Sequence, residues 1–188
     1  MNLSWGDLGT ALGLGFITLL RVVVLIAIAS LIWTPIGIYV GLRPRLTQIV
    51  QPVAQFLAAF PANILFNVIT GASTMPQELR DVGDNFGVKG WLWWKKIALP
   101  CVFPYYVTGA ITASGGSWNA SIVAEVASWG TRTLHAHGLG AYIADAVTNG
   151  DFRKVVLGTA VMSFFVVVVN RLLWRPLYWY AERKFRLT

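Results

Sequence analysis

Residues 22–42 read VVVLIAIASLIWTPIGIYVGL and contain no charged side chain. A run of about 20 apolar residues is the length that an α-helix needs to cross the hydrocarbon core of a bilayer. The stretch before it, residues 8–20, is also apolar and is separated from it by Arg21. We therefore predict a spanning helix over 22–42, with 8–20 as an interfacial lead-in or partial helix.

The composition of the whole chain agrees with a membrane location. Its 188 residues are 56% hydrophobic and 12% charged, and the mean hydropathy is +0.60. Backbone polar groups in lipid must be satisfied within the fold, which leaves helix bundles and closed β-barrels. A barrel needs alternating segments of about ten residues, and the long unalternated runs here do not supply them. We predict one all-α, polytopic transmembrane domain over 1–188.

Three further apolar segments, 53–72, 101–127 and 155–174, bring the expected number of spanning segments to about four. Segment 53–72 is a poorer lipid-facing helix than the first because it carries Pro61, Asn63 and Asn67. Segment 101–127 is rich in small residues that suit helix contacts. Between the last two segments, residues 128–154 are of mixed polarity. They predict a short helix and loops outside the membrane.

The net charge of +7 would suggest nucleic acid as the partner of a soluble protein. Here the basic residues stand mostly at the ends of apolar runs, which is the pattern of cytoplasmic loops. Arg43 and Arg45 follow the first spanning helix, and a loop over 74–100 carries Arg80, Lys89, Lys95 and Lys96. We expect these loops and the basic C-terminal tail in the cytoplasm, and no nucleic-acid partner.

The loop contains the most polar block of the chain, ELRDVGDNFGVKGWLWWKKIALP at 78–100. Thr74 predicts a helix cap, Gly87 predicts the end of that helix in a left-handed conformation, and a second amphipathic helix should run from Trp91 to Leu99 and end at Pro100. The residues alone leave two interpretations open. The block is either a helix pair on the lipid headgroups or a docking element for a cytoplasmic partner.

The block resembles the cytoplasmic "EAA" loop of permeases of binding-protein-dependent ABC importers, which has a Glu-Ala-Ala triplet, a following glycine and a closing Leu-Pro. Asp81, Val82 and Gly83 stand in the place of the triplet, Gly87 matches the glycine, and Leu99 and Pro100 match the close. The resemblance implies a loop that docks on an ATPase. The residues expected to shape it are Asp81, Val82, Gly83, Gly87, Lys89, Leu99 and Pro100.

Three other stretches are similar to the nitrate, sulfonate, taurine and bicarbonate permease group, especially the C-terminal half of its double-length members. They are FPYYVTGAITASGGSWNASIVAEV (103–126), HGLGAYIADA (137–146) and NRLLWRPLY (170–178), and the resemblance covers roughly 20–180. It implies a pathway-forming subunit for a small oxyanion or sulfonate-like solute. The implied partners are cytoplasmic ABC ATPase subunits, an extracytoplasmic solute-binding protein, a second permease domain and membrane lipid.

No cofactor is expected, because the resemblance implies that a partner subunit binds ATP. These 188 residues contain no G-x-x-x-x-G-K-[ST] phosphate loop, and no set of nucleophile, base and orienting group at recognisable spacing. We therefore expect a transporter subunit and not an enzyme. The other functions considered are a structural or regulatory membrane protein and an internally deleted, inactive permease copy.

The chain departs from the family before the docking loop. The family has two crossings between the helix that ends in GLRPR and this loop, whereas this chain offers the single segment 53–72. One crossing would put Arg43 and the loop on opposite sides, against the charge bias. Three explanations are open: a re-entrant hairpin around Pro61, an internal deletion near 60–70, or an error in the sequence. Deletion is favoured, because FPANILF and NVITGAS each match family sequence separately.

Trp118, Asn119 and Glu125 are candidates to line the pathway, since a carboxylate at or near membrane depth is a functional candidate by default. An anionic solute would not favour an acid beside it, which favours a structural or gating role for Glu125. His135 and His137 form an H-x-H, but too few further ligands lie nearby to predict a metal site.

Overall fold

The computed structural model describes residues 4–56, 62–129 and 132–185. The helices in these ranges are α1 (Trp5–Gly41), α2 (Pro44–Phe56), α3 (Ala62–Ser73), α4 (Gln77–Asn85), α5 (Gly90–Trp93), α6 (Leu99–Ala124), α7 (Leu139–Thr148), α8 (Phe152–Val169) and α9 (Arg175–Phe185). Short π-helical segments, Trp94–Ala98 and Asn170–Trp174, join α5 to α6 and α8 to α9. Two short strands, β1 (Val126–Trp129) and β2 (Arg132–His135), pair antiparallel. The predicted all-α class is confirmed.

Three helices are long and apolar enough to cross a membrane within the described ranges: Trp5–Gly41, Gly90–Ser121 and Phe152–Phe185. They overlap three of the four expected spanning segments, 22–42, 101–127 and 155–174. The first differs from the prediction, because the lead-in and the span are one continuous helix of 37 residues. Arg21 does not interrupt it, since an arginine is a good helix former.

The segment 53–72 is not a single spanning helix, and this prediction was wrong. It is divided between α2, of 13 residues, and α3, of 12 residues. At 1.5 Å per residue each measures about 20 Å, which is less than the roughly 30 Å of a hydrocarbon core. The residues between them, including Pro61, lie outside the described part of the chain.

These two helices form a hairpin against the C-terminal part of α1. The side chain of Gln51 on α2 donates a hydrogen bond to Thr70 on α3 over 3.2 Å, and Ala54 packs with Leu65 and Ile69 in one apolar cluster that also includes Val40. The contacts pair increasing residue numbers on α2 with decreasing numbers on α3. The two helices are therefore antiparallel.

The direction of α3 removes the topological conflict. A Cβ on Gly37 would lie 2.6 Å from Val68, and one on Gly41 would lie 2.6 Å from the Cβ of Ala72. Because the numbers increase together, α3 runs parallel to α1 and ends beside the end of α1. Arg43 and the loop after α3 thus lie at the same end. The arrangement of α2 and α3 agrees with a re-entrant hairpin, the first of the three explanations given above. It does not depend on whether residues have been deleted near 60–70.

The chain divides into two compact units, one formed by Met1–Leu25 with Ser114–Leu172 and the other by Ile26–Ala113 with Leu173–Thr188. The second unit contains the α2 and α3 hairpin and the docking loop. In the first unit, α7 packs on α8, and Ala11, Leu139 and Val161 form a buried cluster. Gly158 allows this contact, since a Cβ there would lie 2.6 Å from Ile143.

The region 128–154 contains the expected short helix, α7, but also a β-hairpin that the sequence analysis did not foresee. Its register pairs Val126 with His135 and Ala127 with Leu134. The hairpin begins directly after Glu125 at the end of α6, and the backbone N–H of Ala136 donates to the carbonyl of Glu125 over 2.8 Å. The β-hairpin is therefore closed by a bond to the residue that precedes it.

Candidate functional site

The docking loop begins with a shorter helix than the sequence predicts. Pro76, with φ −56° and ψ 139°, takes the cap position of α4, which begins at Gln77. Thr74 does not cap this helix. Its hydroxyl instead donates to the carbonyl of Thr70 over 3.0 Å, and its backbone N–H donates to the same carbonyl over 3.1 Å.

Gly87 ends α4 in the manner predicted. Its φ is +63°, a conformation that side chains with a Cβ rarely adopt. The N–H of Gly87 donates to Asp84 over 3.1 Å, and the N–H of Val88 donates to Gly83 over 2.8 Å. This pair of bonds is the Schellman motif, which satisfies the last carbonyls of a helix and turns the chain sharply.

The helix before Gly87, α4, has a packed side and an exposed side. Gly83 is buried, and a Cβ there would lie 3.0 Å from Ile97 and 3.1 Å from Trp93. In contrast, Val82 is 45% exposed and Phe86 79% exposed. We use the name docking surface for the exposed side chains of this loop: Asp81, Val82, Phe86, Lys89, Trp91 and Leu92.

Leu99 and Pro100 do not end the second helix, so this part of the prediction is corrected. The helix runs on from Gly90 through the π-helical segment into α6. A proline inside a helix lacks the N–H for the ladder and its ring clashes with the carbonyl four residues earlier. The wider π-helical turn at Trp94–Ala98 accommodates Pro100 without a break. The docking surface and the second spanning helix therefore belong to one continuous helical stretch.

The predicted pathway residues on α6 have different surroundings. Trp118 is 2% exposed and stacks on Phe165, with ring centroids 6.4 Å apart. Asn119 is exposed. Glu125 is buried and contacts neither of them through its hydrogen bonds. The three residues do not form one site.

Glu125 is instead the centre of a cluster in the first unit, which we call the carboxylate cluster. One carboxylate oxygen accepts from Thr18 Oγ1 over 2.8 Å and from Arg21 Nη1 over 3.1 Å. The other accepts from the backbone N–H groups of Gly140 over 2.6 Å and Ala141 over 3.2 Å. The carboxylate thus bonds to α1 and to the first turn of α7, where the helix dipole favours a negative charge.

Thr18 and Gly138 complete the enclosure of this carboxylate. The hydroxyl of Thr18 accepts from the N–H of Leu139 over 3.0 Å while it donates to Glu125. A Cβ on Gly138 would overlap the carboxylate of Glu125. The φ of Gly138 is −177°, which any residue can adopt. Glycine is therefore required here for the close approach of Glu125 and not for its backbone conformation.

Thr18 and Arg21 were not among the site residues predicted from the sequence. The signal was present, because Arg21 is the one charge between Asp7 and Arg43 and a charge in an apolar helix needs a partner. Thr18 precedes it by three residues and so shares its face of the helix. The identity of the partner depends on tertiary structure.

His135 was considered above as a metal ligand, but the structure places it beside a carboxylate. Its Nδ1 lies 3.4 Å from the carboxylate of Asp145, and both side chains are about half exposed. In the described ranges, no group of three or more histidine, cysteine, aspartate or glutamate side chains is placed to hold a metal ion.

Comparisons with known proteins agree on one family. The family described as "Binding-protein-dependent transport system inner membrane component" matches residues 14–174. A bicarbonate transport system permease protein from Synechococcus elongatus is 28% identical over 182 residues, covering 82% of this chain and 64% of the relative. A nitrate import permease protein from Leptolyngbya laminosa is 28% identical over 151 residues, covering 79% and 50%.

A third relative, an osmoprotectant import permease protein from Salmonella typhimurium, is 27% identical over 165 residues and covers 86% of this chain and 70% of the relative. The chain spans 64% of the bicarbonate permease and 50% of the nitrate permease named above. The similarity includes the docking loop and the carboxylate cluster, which both lie in the matched range 14–174.

Proposed function

The chain belongs to the family of binding-protein-dependent transport system inner membrane components, and on this premise we propose that it forms the translocation pathway of an ABC importer for a small oxyanion or sulfonate-like anion. It is a multi-pass protein of the plasma membrane. Bicarbonate and nitrate, named for two of the relatives, are small oxyanions. They support the anion class for this chain.

The docking surface supports coupling to a separate ATPase. Val82 and Phe86 stand exposed beside the Schellman corner, while Gly83 packs the helix against Trp93 and Ile97. Exposed apolar side chains with charged neighbours are suited to a protein partner. Asp81 and Lys89 supply such charges. The residues expected from sequence to shape this loop are Asp81, Val82, Gly83, Gly87, Lys89, Leu99 and Pro100. Of these, Asp81, Val82 and Lys89 belong to the docking surface, and Gly83 lies on the packed side of α4.

The continuous helix from Gly90 to Ser121 provides the mechanical connection. ATP binding closes the ATPase pair, which displaces the docking surface. The helical stretch through Leu99 and Pro100 passes this displacement into the membrane segment, so that the pathway changes from outward to inward access. ATP is bound by the partner subunits and this chain holds no cofactor.

The assembly requires further partners. A second permease domain encloses the pathway, an extracytoplasmic solute-binding protein delivers the anion, and lipid covers the remaining apolar surface. Large apolar side chains on α1 and α8, such as Leu31 at 78% and Val156 at 69% exposure, need such cover in the described structure.

Substitution of Gly87 tests the docking. We expect Gly87→Val to abolish co-purification with a nucleotide-binding ATPase subunit in mild detergent, because a β-branched residue at φ +63° costs about 1–3 kcal/mol and opens the corner. Gly87→Asn is the matched control, since asparagine tolerates the left-handed conformation, and it should keep the complex. A Cβ at this position has no neighbour within 4 Å among the described residues, so a steric clash does not explain a difference.

Two outcomes would count against the proposal. If the wild-type chain forms no complex with an ATPase, the proposed permease function is wrong, and a structural membrane protein becomes the better explanation. If Gly87→Val binds the ATPase as well as Gly87→Asn does, the corner is not part of the interface.

A further inference from the structure

Arg21 lies between two apolar stretches of α1, where an arginine is unusual. The apolar run of 22–42 is long enough by itself for one crossing, so Arg21 stands at the boundary of that crossing farthest from Arg43. Apolar residues precede it as well as follow it on α1. A guanidinium in such surroundings is costly unless it faces water, a partner charge or a polar ligand.

Glu125 accounts for only part of the Arg21 side chain. The carboxylate already accepts from Thr18 and from two backbone N–H groups at the first turn of α7. These bonds and the helix dipole stabilise its charge independently of Arg21. The Glu125 side chain is 3% exposed, whereas that of Arg21 is 39% exposed, so the carboxylate is buried while part of the arginine is accessible.

The guanidinium of Arg21 has donors that its bond to Glu125 does not use. A guanidinium has five N–H donors, and within the described residues one nitrogen, Nη1, is bonded to Glu125. The side chain is 39% exposed. Glu125 therefore holds one nitrogen of the fork, and the other guanidinium nitrogens have no bonded partner among the described residues.

We propose that Arg21 is an oxyanion-binding residue of the pathway, held by Glu125 and Thr18 with its free donors presented to the translocated anion. The inference rests on the proposed function and deepens it. The planar fork of a guanidinium matches two oxygens of an oxyanion. Pairing with Glu125 reduces the net charge, which keeps the anion from binding too tightly to leave. This pairing explains an acid close to an anion pathway, because the charge of Glu125 is buried and is compensated by Arg21.

The position of Arg21 is tested by cysteine accessibility in membranes containing the whole transporter. We expect Arg21→Cys to react with a membrane-impermeant, anionic methanethiosulfonate reagent. Leu20→Cys is the matched control. Leu20 is 57% exposed and lies about 100° around the helix from Arg21, so we expect it to face lipid and not react. The wild-type chain gives the background, since Cys101 is buried.

The role of Arg21 is tested by uptake of labelled nitrate and labelled bicarbonate in cells that contain the chain with its ATPase and solute-binding protein. Arg21→Gln should raise the KM for the transported anion by roughly tenfold or more, as expected for loss of a charge-assisted hydrogen bond. Arg21→Lys should restore part of the affinity. Arg45→Gln, at an exposed arginine outside the cluster, should leave uptake unchanged.

Three results would overturn the inference. Arg21→Cys that reacts only after unfolding would place the residue against lipid. A wild-type KM in Arg21→Gln would remove its role in anion binding. The third result is that phosphatidylglycerol stabilises the wild-type protein in detergent but does not stabilise Arg21→Gln. Arg21 would then bind the phosphate of a lipid headgroup and not the transported anion. In these cases wild-type transport continues and the proposed function stands, whereas a wild-type complex that transports neither anion would contradict the proposed function itself.

Discussion

At the scale of single residues, Glu125 shows how the fold stabilises a carboxylate in apolar surroundings. Its two oxygens accept four hydrogen bonds, two from side chains of α1 and two from the backbone of α7. An ionised carboxylate has about four acceptor positions, so its capacity is filled. The bonds connect segments more than 100 residues apart in sequence, Thr18 and Arg21 with Glu125.

Replacement of this carboxylate by an amide should destabilise the protein. In Glu125→Gln the NH₂ group cannot accept, so at least one pair of donors loses its acceptor and Arg21 loses its counter-charge. We expect a loss of about 3 kcal/mol, measured as a lower Tm in detergent. Glu78→Gln makes the same chemical change at an exposed position and should have little effect. Equal Tm values for the two variants would show that the cluster contributes no stability.

At the scale of secondary-structure elements, α3 is held by close contacts with glycines on both neighbours. Gly37 and Gly41 on α1 lie against Val68 and Ala72, and a Cβ on Gly109 of α6 would lie 2.9 Å from the carbonyl oxygen of Asn63. Small residues spaced by four positions let helices approach closely in membranes. This packing explains how α3, too short to span, is kept in place.

A methyl group in this contact should therefore weaken it. In Gly41→Ala the new Cβ would lie 2.6 Å from the Cβ of Ala72, and overpacking of this kind costs about 1–3 kcal/mol. Gly13→Ala on the same helix is the control, because a Cβ there has no described neighbour within 4 Å. We expect a lower Tm in detergent for Gly41→Ala alone. A Tm at or above the wild-type value would contradict the proposed contact between α1 and α3.

At the scale of the whole molecule, membership of the permease family and three candidate spanning helices agree with a multi-pass membrane protein. The family likeness predicts two crossings between the end of α1 and the docking loop. The structure replaces them with the short α2 and α3 hairpin. Both arrangements return the chain to the side from which it left, so the positive-inside pattern is preserved.

This topology has a direct test. Arg45→Cys, at the start of α2, and Asn85→Cys, at the end of α4, are both exposed positions. We expect an impermeant maleimide to leave both unlabelled in intact cells and to label both after the membrane is opened from the cytoplasmic side. Labelling of one position from each side would show that 44–76 crosses the membrane once, and the hairpin would be wrong.

The sequence by itself determined the fold class, the family and the corner of the docking loop. Long apolar runs have few stable forms in lipid, and a glycine at a helix end needs only local backbone geometry. Tertiary structure decided what depends on distant contacts. It paired Arg21 and Thr18 with Glu125, divided 53–72 into a hairpin, carried a helix through Pro100 and separated Trp118 and Asn119 from Glu125. No local pattern encodes these features, because each depends on side chains that only the folded chain brings together.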